Sequence, residues 1–197
     1  KRRSVAEPIG WVLSIENSDL VLVGLKSGIA LLHAFDEEVP LKWIDKKFPG
    51  NQTLRLNDAK VDHFGRLWSG SMCMENKLNP SGELAHYSFR QRSWNVIDSG
   101  YVIPNGPAFN SDSSLVLHSD SAKRVTYQYH LNPETGAVTD RTVWREYNEE
   151  DGLPDGMTFD SEGFVWIAHW GIGEIRRYDP KGTLCFAVAI PASQVTN

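Results

Sequence analysis

Four stretches of the chain repeat one local pattern, beginning at Ile15, Val61, Phe109 and Phe159, with starts 46, 48 and 50 residues apart. Each runs from an apolar residue through a polar turn, such as Asp62-His63-Phe64-Gly65 or Asp160-Ser161-Glu162-Gly163, into a short apolar segment. A period of this size, with a strand-turn-strand unit inside it, is the mark of a repeat architecture whose units bury their faces only against one another. The second strand is followed by another alternating segment, as in Leu84-Ala85-His86-Tyr87, Val125-Thr126-Tyr127-Gln128-Tyr129 and Ile175-Arg176-Arg177-Tyr178. Asn132-Pro133-Glu134-Thr135-Gly136 and Asp179-Pro180-Lys181-Gly182 then supply the Pro and Gly of a tight turn back. With no long helical periodicity to interrupt this rhythm, the expectation is an all-β protein: one partial β-propeller domain over residues 1–197, of about four blades. An open arc of four blades leaves sheet faces and a strand edge uncovered, which predicts a larger propeller or self-association through the open ends.

Composition narrows the function classes. At 41% hydrophobic and 11% aromatic residues, the chain can bury a sizeable core. No segment approaches the roughly 18 apolar residues of a membrane span, so no membrane partner is expected. Cys73 and Cys185 are isolated, which excludes a disulfide framework and a cysteine-built zinc site and fits a reducing, cytoplasmic setting. A net charge of −5 without a basic stripe argues against nucleic acid. Asn51-Gln52-Thr53 matches a glycosylation sequon of a kind that arises often by chance. There is no Gly-x-Ser-x-Gly elbow, phosphate loop or His-Glu-x-x-His, which removes support for serine-hydrolase, nucleotide and zinc-protease readings.

Four residues before each repeat start stand Trp11, Asn57, Asn105 and Asp155. Equivalent positions in a propeller face the same way, so the three polar ones are expected to converge at one mouth of the central channel. Asn-Asp, Asn-Gly and Asp-Gly also make turns, and each alone is explained that way. Three at one repeat position favour a set of oxygen donors suited to a hard divalent cation. Trp68 and Trp166 hold matching strand positions and read as core. His169 reads as a hydrogen-bonded structural histidine, and Glu149-Glu150-Asp151 as a solvated loop.

Several longer motifs stand in a fixed order: Arg55-Leu56-Asn57-Asp58-Ala59-Lys60-Val61-Asp62 with Gly65-Arg66 and Gly70-Ser71-Met72, then Pro104-Asn105-Gly106, then Gly152-Leu153-Pro154-Asp155-Gly156-Met157, and last Ile190-Pro191-Ala192-Ser193. In content and spacing the chain resembles the senescence marker protein/gluconolactonase/regucalcin family. That resemblance implies a six-bladed propeller of the lactonase type, with one divalent metal ion in its channel, that hydrolyses a small-molecule sugar lactone. It implies Asn105 and Asp155 as metal ligands, Asp155 also as catalytic base, and Arg55, Asn57 and Glu75 as substrate contacts. Calcium is the foremost candidate on hardness, with magnesium, manganese and zinc as alternatives. The family's remaining ligand, a glutamate in a Gly-Glu-x-Pro segment, is expected to precede this chain, and the last blade to follow it. Glu7-Pro8 stands too near the Asn57 motif to take that role. Ala59 and Pro107 replace the family's usual Gly and Leu. The competing readings are a non-catalytic propeller fragment that binds sugar lactone or calcium, and an arylesterase-like propeller hydrolase for less polar substrates.

Overall fold

The computed structural model describes residues 4–46 and 53–196, so Asn51 and Gln52 of the sequon lie outside the described residues. Among the described residues, sixteen strands form four sheets, each a four-stranded antiparallel meander in chain order. The first contains β1 (Ile9–Ser14), β2 (Leu20–Leu25), β3 (Gly28–His33) and β4 (Lys42–Asp45). The second contains β5 (Leu54–Val61), β6 (Leu67–Cys73), β7 (Gly82–Ser88) and β8 (Ser93–Tyr101). The third contains β9 (Pro104–Phe109), β10 (Leu115–Asp120), β11 (Val125–Leu131) and β12 (Val138–Glu146), and the fourth β13 (Leu153–Phe159), β14 (Val165–Trp170), β15 (Glu174–Tyr178) and β16 (Leu184–Ala189). The first strands of successive sheets, β1, β5, β9 and β13, lie next to one another, which makes them the inner strands of four propeller blades. Each sequence repeat is the turn that joins a blade's inner strand to its second strand.

The blades are held by their faces. Trp11, Leu22, Ile29, Leu56, Leu67 and Tyr87 fill the first seam. Trp68, Leu84, Tyr101, Phe109, Val116 and Tyr129 fill the second, and Leu117, Tyr147, Met157, Val165, Ile167 and Tyr178 the third. Trp68 is fully buried, as its strand position predicts, whereas Trp166 is half-buried. His169 is the structural histidine expected: Nδ1 lies 2.6 Å from the Asp151 carbonyl and Nε2 2.9 Å from the Tyr178 hydroxyl. Burial pushes its pKa down to about 4, which keeps the ring neutral. Glu149–Asp151 forms one turn of 3-10 helix, and its Asp151 pairs with Arg176 rather than standing free in solvent. No helix among the described residues is long and apolar enough to cross a membrane.

The repeat turn carries its own lock. In the second blade, Asp62 Oδ1 accepts from the amides of Phe64 and Arg66, and Oδ2 from Trp68 Nε1 at 2.8 Å and Arg66 Nε at 2.6 Å. In the fourth, Asp160 accepts from the Glu162 and Phe164 amides, from Trp166 Nε1 at 3.0 Å and from Arg177 Nε at 2.8 Å. In both blades one carboxylate closes the turn and fixes the tryptophan of the next strand. The Asp62 side chain has no exposure and its Arg66 partner only 13%. We predict that Asp62→Ala costs about 3 kcal/mol, because it leaves a guanidinium and an indole N–H shielded without an acceptor. Urea denaturation measures the loss, and a change below about 1 kcal/mol would contradict this role.

Candidate functional site

Each inner strand breaks its ladder at the same level. Leu56 pairs with Ser71 and Ala59 with Ser69, so Asn57 and Asp58 together face Gly70. Asn105 pairs with Ser119 and Ala108 with Leu117, leaving Gly106 and Pro107 opposite His118. Pro154 pairs with His169 and Met157 with Ile167, leaving Asp155 and Gly156 opposite Ala168. In β1 the extra residue is Gly10, between the Ile9–Leu25 and Trp11–Gly24 pairs. A bulge of this kind interrupts strict side-chain alternation and re-aims a residue out of the ladder. Three of the bulges turn Gly10, Asn57, Asp58 and Asp155 toward one cleft of about 400 Å³, which Asn105 also lines from the ladder position just before its bulge, with Arg55 and Lys77 beside them. In the first blade the residue facing the cleft is Gly10, not Trp11. The Trp11 indole turns into the seam, where its Nε1 donates to Ser69 Oγ at 3.0 Å. Gly10 is obligatory, since a Cβ there would stand 2.2 Å from the Leu56 carbonyl oxygen.

The three polar residues of the repeat position touch in sequence. Asn57 Nδ2 donates to Asn105 Oδ1 and to the Pro104 carbonyl, both at 2.8 Å. Asn105 Nδ2 donates to Ser121 Oγ at 2.7 Å and approaches Asp155 Oδ2 at 3.4 Å. Ser121 passes the link on by donating to the Pro154 carbonyl. Arg55 is half-buried and donates to the Leu56 carbonyl at 2.8 Å and to Met72 Sδ at 3.1 Å. Glu75 lies on the exposed loop after β6, outside the residues that line the cleft. Glu7 is held elsewhere, accepting from the amide and hydroxyl of Ser27 in the β2–β3 turn.

Two residues were not singled out by sequence. Ser121 carries no motif, and its role comes from the closeness of the third and fourth blades. Asp58 lies inside the Asn57 motif and reads there as half of a turn dipeptide, but it is only 7% exposed. Its Oδ1 accepts from the Ala59 amide at 2.8 Å and its Oδ2 from the Gly106 amide at 2.9 Å, across the blade boundary. Burial pushes the Asp58 carboxyl up to about 6; the two amide hydrogen bonds oppose that shift and the Asp155 charge adds to it. Burial also raises the Asp155 pKa, against the hydrogen bond from the Gly156 amide. Arg55 shifts the other way, its pKa lowered by burial of the guanidinium.

This donor set suits a hard cation. Asp155 is a shielded carboxylate with no ion pair among the described residues, and Asn105 and Asn57 add carboxamide oxygens. Among the described residues no group of three His, Cys, Asp or Glu side chains is placed to hold a metal, so any cation here depends on the carboxamides as well. For Asn105 and Asp155 to share a cation, the Asn105 carboxamide must turn over, because its nitrogen now faces Asp155.

The model of the SMP-30/Gluconolactonase/LRE-like region matches residues 2–197. Pentonolactonase XacC of Haloferax volcanii is 35% identical over 73% of this chain and 48% of its own length. The 6-deoxy-6-sulfogluconolactonase of Pseudomonas putida is 32% identical over 86% of this chain and 57% of its own. A luciferin-regenerating enzyme superposes with a TM-score of 0.89 at 27% identity, over 98% of this chain and 66% of that one. Regucalcin from Agrobacterium tumefaciens, described as a calcium-binding protein, superposes with a TM-score of 0.87 at 22% identity, over 98% of this chain and 64% of that one. This chain spans about half to three fifths of the length of these and other curated relatives it matches.

A raised carboxyl pKa means that the folded state holds that proton more tightly than the unfolded chain does. The folded state therefore loses relative stability as pH rises through this range. We predict that, with chelator, the stability difference of wild type minus Asp155→Asn falls as pH rises above the ordinary carboxylate range. If calcium binds at Asp155, then at a hundred times its dissociation constant it should reverse that trend and add about 2.7 kcal/mol to the wild type but not to the variant. Thermal unfolding with and without calcium reads both effects; a pH-independent difference would contradict the shielded carboxylate.

Proposed function

The chain belongs to the SMP-30/gluconolactonase/LRE-like family, and from that premise we propose that it acts in the metal-dependent hydrolysis of a sugar lactone to the open-chain acid. The observation that carries this reading is the convergence of Asn57, Asn105 and Asp155 from three different blades on one polar cleft that also receives Arg55. Relatives named as a pentonolactonase and a sulfogluconolactonase support the substrate class.

Opening a lactone requires water to add to the ester carbonyl, the carbonyl oxygen to take up negative charge, and the ring C–O bond to break. A divalent cation, calcium foremost, held by Asn105 and Asp155 would supply Lewis-acid stabilisation of that charge and a lowered water pKa. Asp155 takes a proton from the attacking water and returns it to the departing ring oxygen. Asn57 keeps its donation to the Pro104 carbonyl when the Asn105 carboxamide turns toward a cation, and its own carboxamide oxygen meets a substrate hydroxyl. Arg55 presents guanidinium N–H groups in a rigid plane, which matches vicinal hydroxyls or a ring oxygen better than a single ammonium would. Glu75, on the exposed loop after β6, would have to reach the substrate from outside the cleft lining.

We predict that Asp155→Ala lowers kcat on a gluconolactone by about a hundredfold or more, the range for a lost general base. Asn57→Ala should instead act on KM and kcat together, because it removes both a substrate contact and a brace on Asn105. Stopped assays of acid release measure both; an Asp155→Ala protein with undiminished turnover removes that residue from the chemistry.

A further inference from the structure

Four charged side chains line the cleft: Arg55, Lys77, Asp58 and Asp155. The two carboxylates sit among neutral donors: Asp58 accepts from two backbone amides, and Asp155 from the Gly156 amide beside Asn105. The two cations meet no anion: Arg55 donates to a neutral carbonyl and a thioether, and neither Arg55 nor Lys77 forms an ion pair among the described residues. Of the other half-buried arginines, Arg66, Arg176 and Arg177, with side-chain exposures of 13%, 12% and 20%, each meet at least one carboxylate, while Arg124 and Arg145 donate to backbone carbonyls. Withdrawing a guanidinium from water without an anion is costly, so such a group is normally paired. Lys77 adds a second positive charge from the β6–β7 loop at the same cleft. A neutral polyol needs hydroxyl partners, which Asn57 and Arg55 already provide, and gives Lys77 no counter-charge.

We propose that the cleft selects sugar lactones that carry a second, permanently charged anionic group such as a carboxylate or sulfonate, and that Arg55 and Lys77 hold that group. Lys77 is the specificity-determining residue of the pair. Arg55 also serves a neutral sugar, whereas Lys77 contributes only when the substrate brings a charge. This inference rests on the lactonase reading for its substrate class but not for its charge preference.

The test uses gluconolactone and glucarolactone of the same ring size, which differ only in a terminal hydroxymethyl versus a carboxylate. For wild type, kcat/KM should favour the acidic lactone. Lys77→Gln should reduce the acidic-to-neutral ratio about tenfold, the scale of one charge-assisted hydrogen bond, and Lys77→Glu should reduce it further. Lys77 is exposed on its loop, and unchanged melting temperatures of both variants would show that the fold is intact. A ratio unaffected by either substitution overturns the proposal even if turnover is high. If neither lactone is turned over, the lactonase reading fails separately, and calorimetry with glucarate and gluconate decides the charge preference. Tighter wild-type binding of the dianion, lost in Lys77→Glu, upholds it, and equal binding of the two acids overturns it.

Discussion

The Asp58 carboxylate, buried where the second and third blades meet, accepts the amide hydrogen of Gly106, and the geometry of the cleft depends on that bond. Asp58 belongs to β5 and Gly106 to β9, so one side chain ties two inner strands together at the level where both bulge. Gly106 has a φ of 81°, a backbone conformation available to glycine at little cost, and this aims its N–H at the neighbouring blade. The adjacent residues then fall into place: Asn57 bridges to Asn105, Asn105 to Ser121, and Ser121 to the Pro154 carbonyl of the fourth blade. Polar groups released by the bulges thus satisfy one another across blade boundaries, in the region that the apolar seams leave uncovered.

This arrangement carries an energetic cost that points to use. Two acidic side chains, Asp58 and Asp155, share one cleft, and burial raises the proton affinity of both. Arg55 is half-buried without a carboxylate. Residues selected for stability alone would pair these charges or replace them with apolar groups. Elsewhere the fold does so: Asp62 and Asp160 are matched by Arg66 and Arg177 in almost the same geometry two blades apart. Local rules are broken at the cleft and kept at the turns, which is the pattern expected when a site is supported by a stable frame around it.

Much of the frame was legible in the sequence. The repeat at Ile15, Val61, Phe109 and Phe159 marks the turn between inner and second strands, because a period-two apolar pattern broken by Asx and Gly has few other solutions. The convergence of Asn57, Asn105 and Asp155 was legible too, since equal repeat positions face alike. The count failed at Trp11, where the bulge falls one residue earlier, at Gly10, and a large apolar ring gains more in the seam than at the cleft. Asp58 was masked because Asn-Asp is also a turn dipeptide; only the proximity of Gly106, 48 residues away, shows which role it takes. Ser121 and Lys77 act through position between blades and at a loop rim, which no local pattern encodes.

The activity proposed for this inner-strand cleft is the opening of sugar lactones with the help of a divalent cation. The most direct measurement is acid release from a gluconolactone by the purified protein, above spontaneous hydrolysis, with calcium or with chelator. Calcium should give an acceleration that chelator abolishes and added metal restores. Release at the spontaneous rate in the presence of metal, or the same acceleration in chelator, would contradict it.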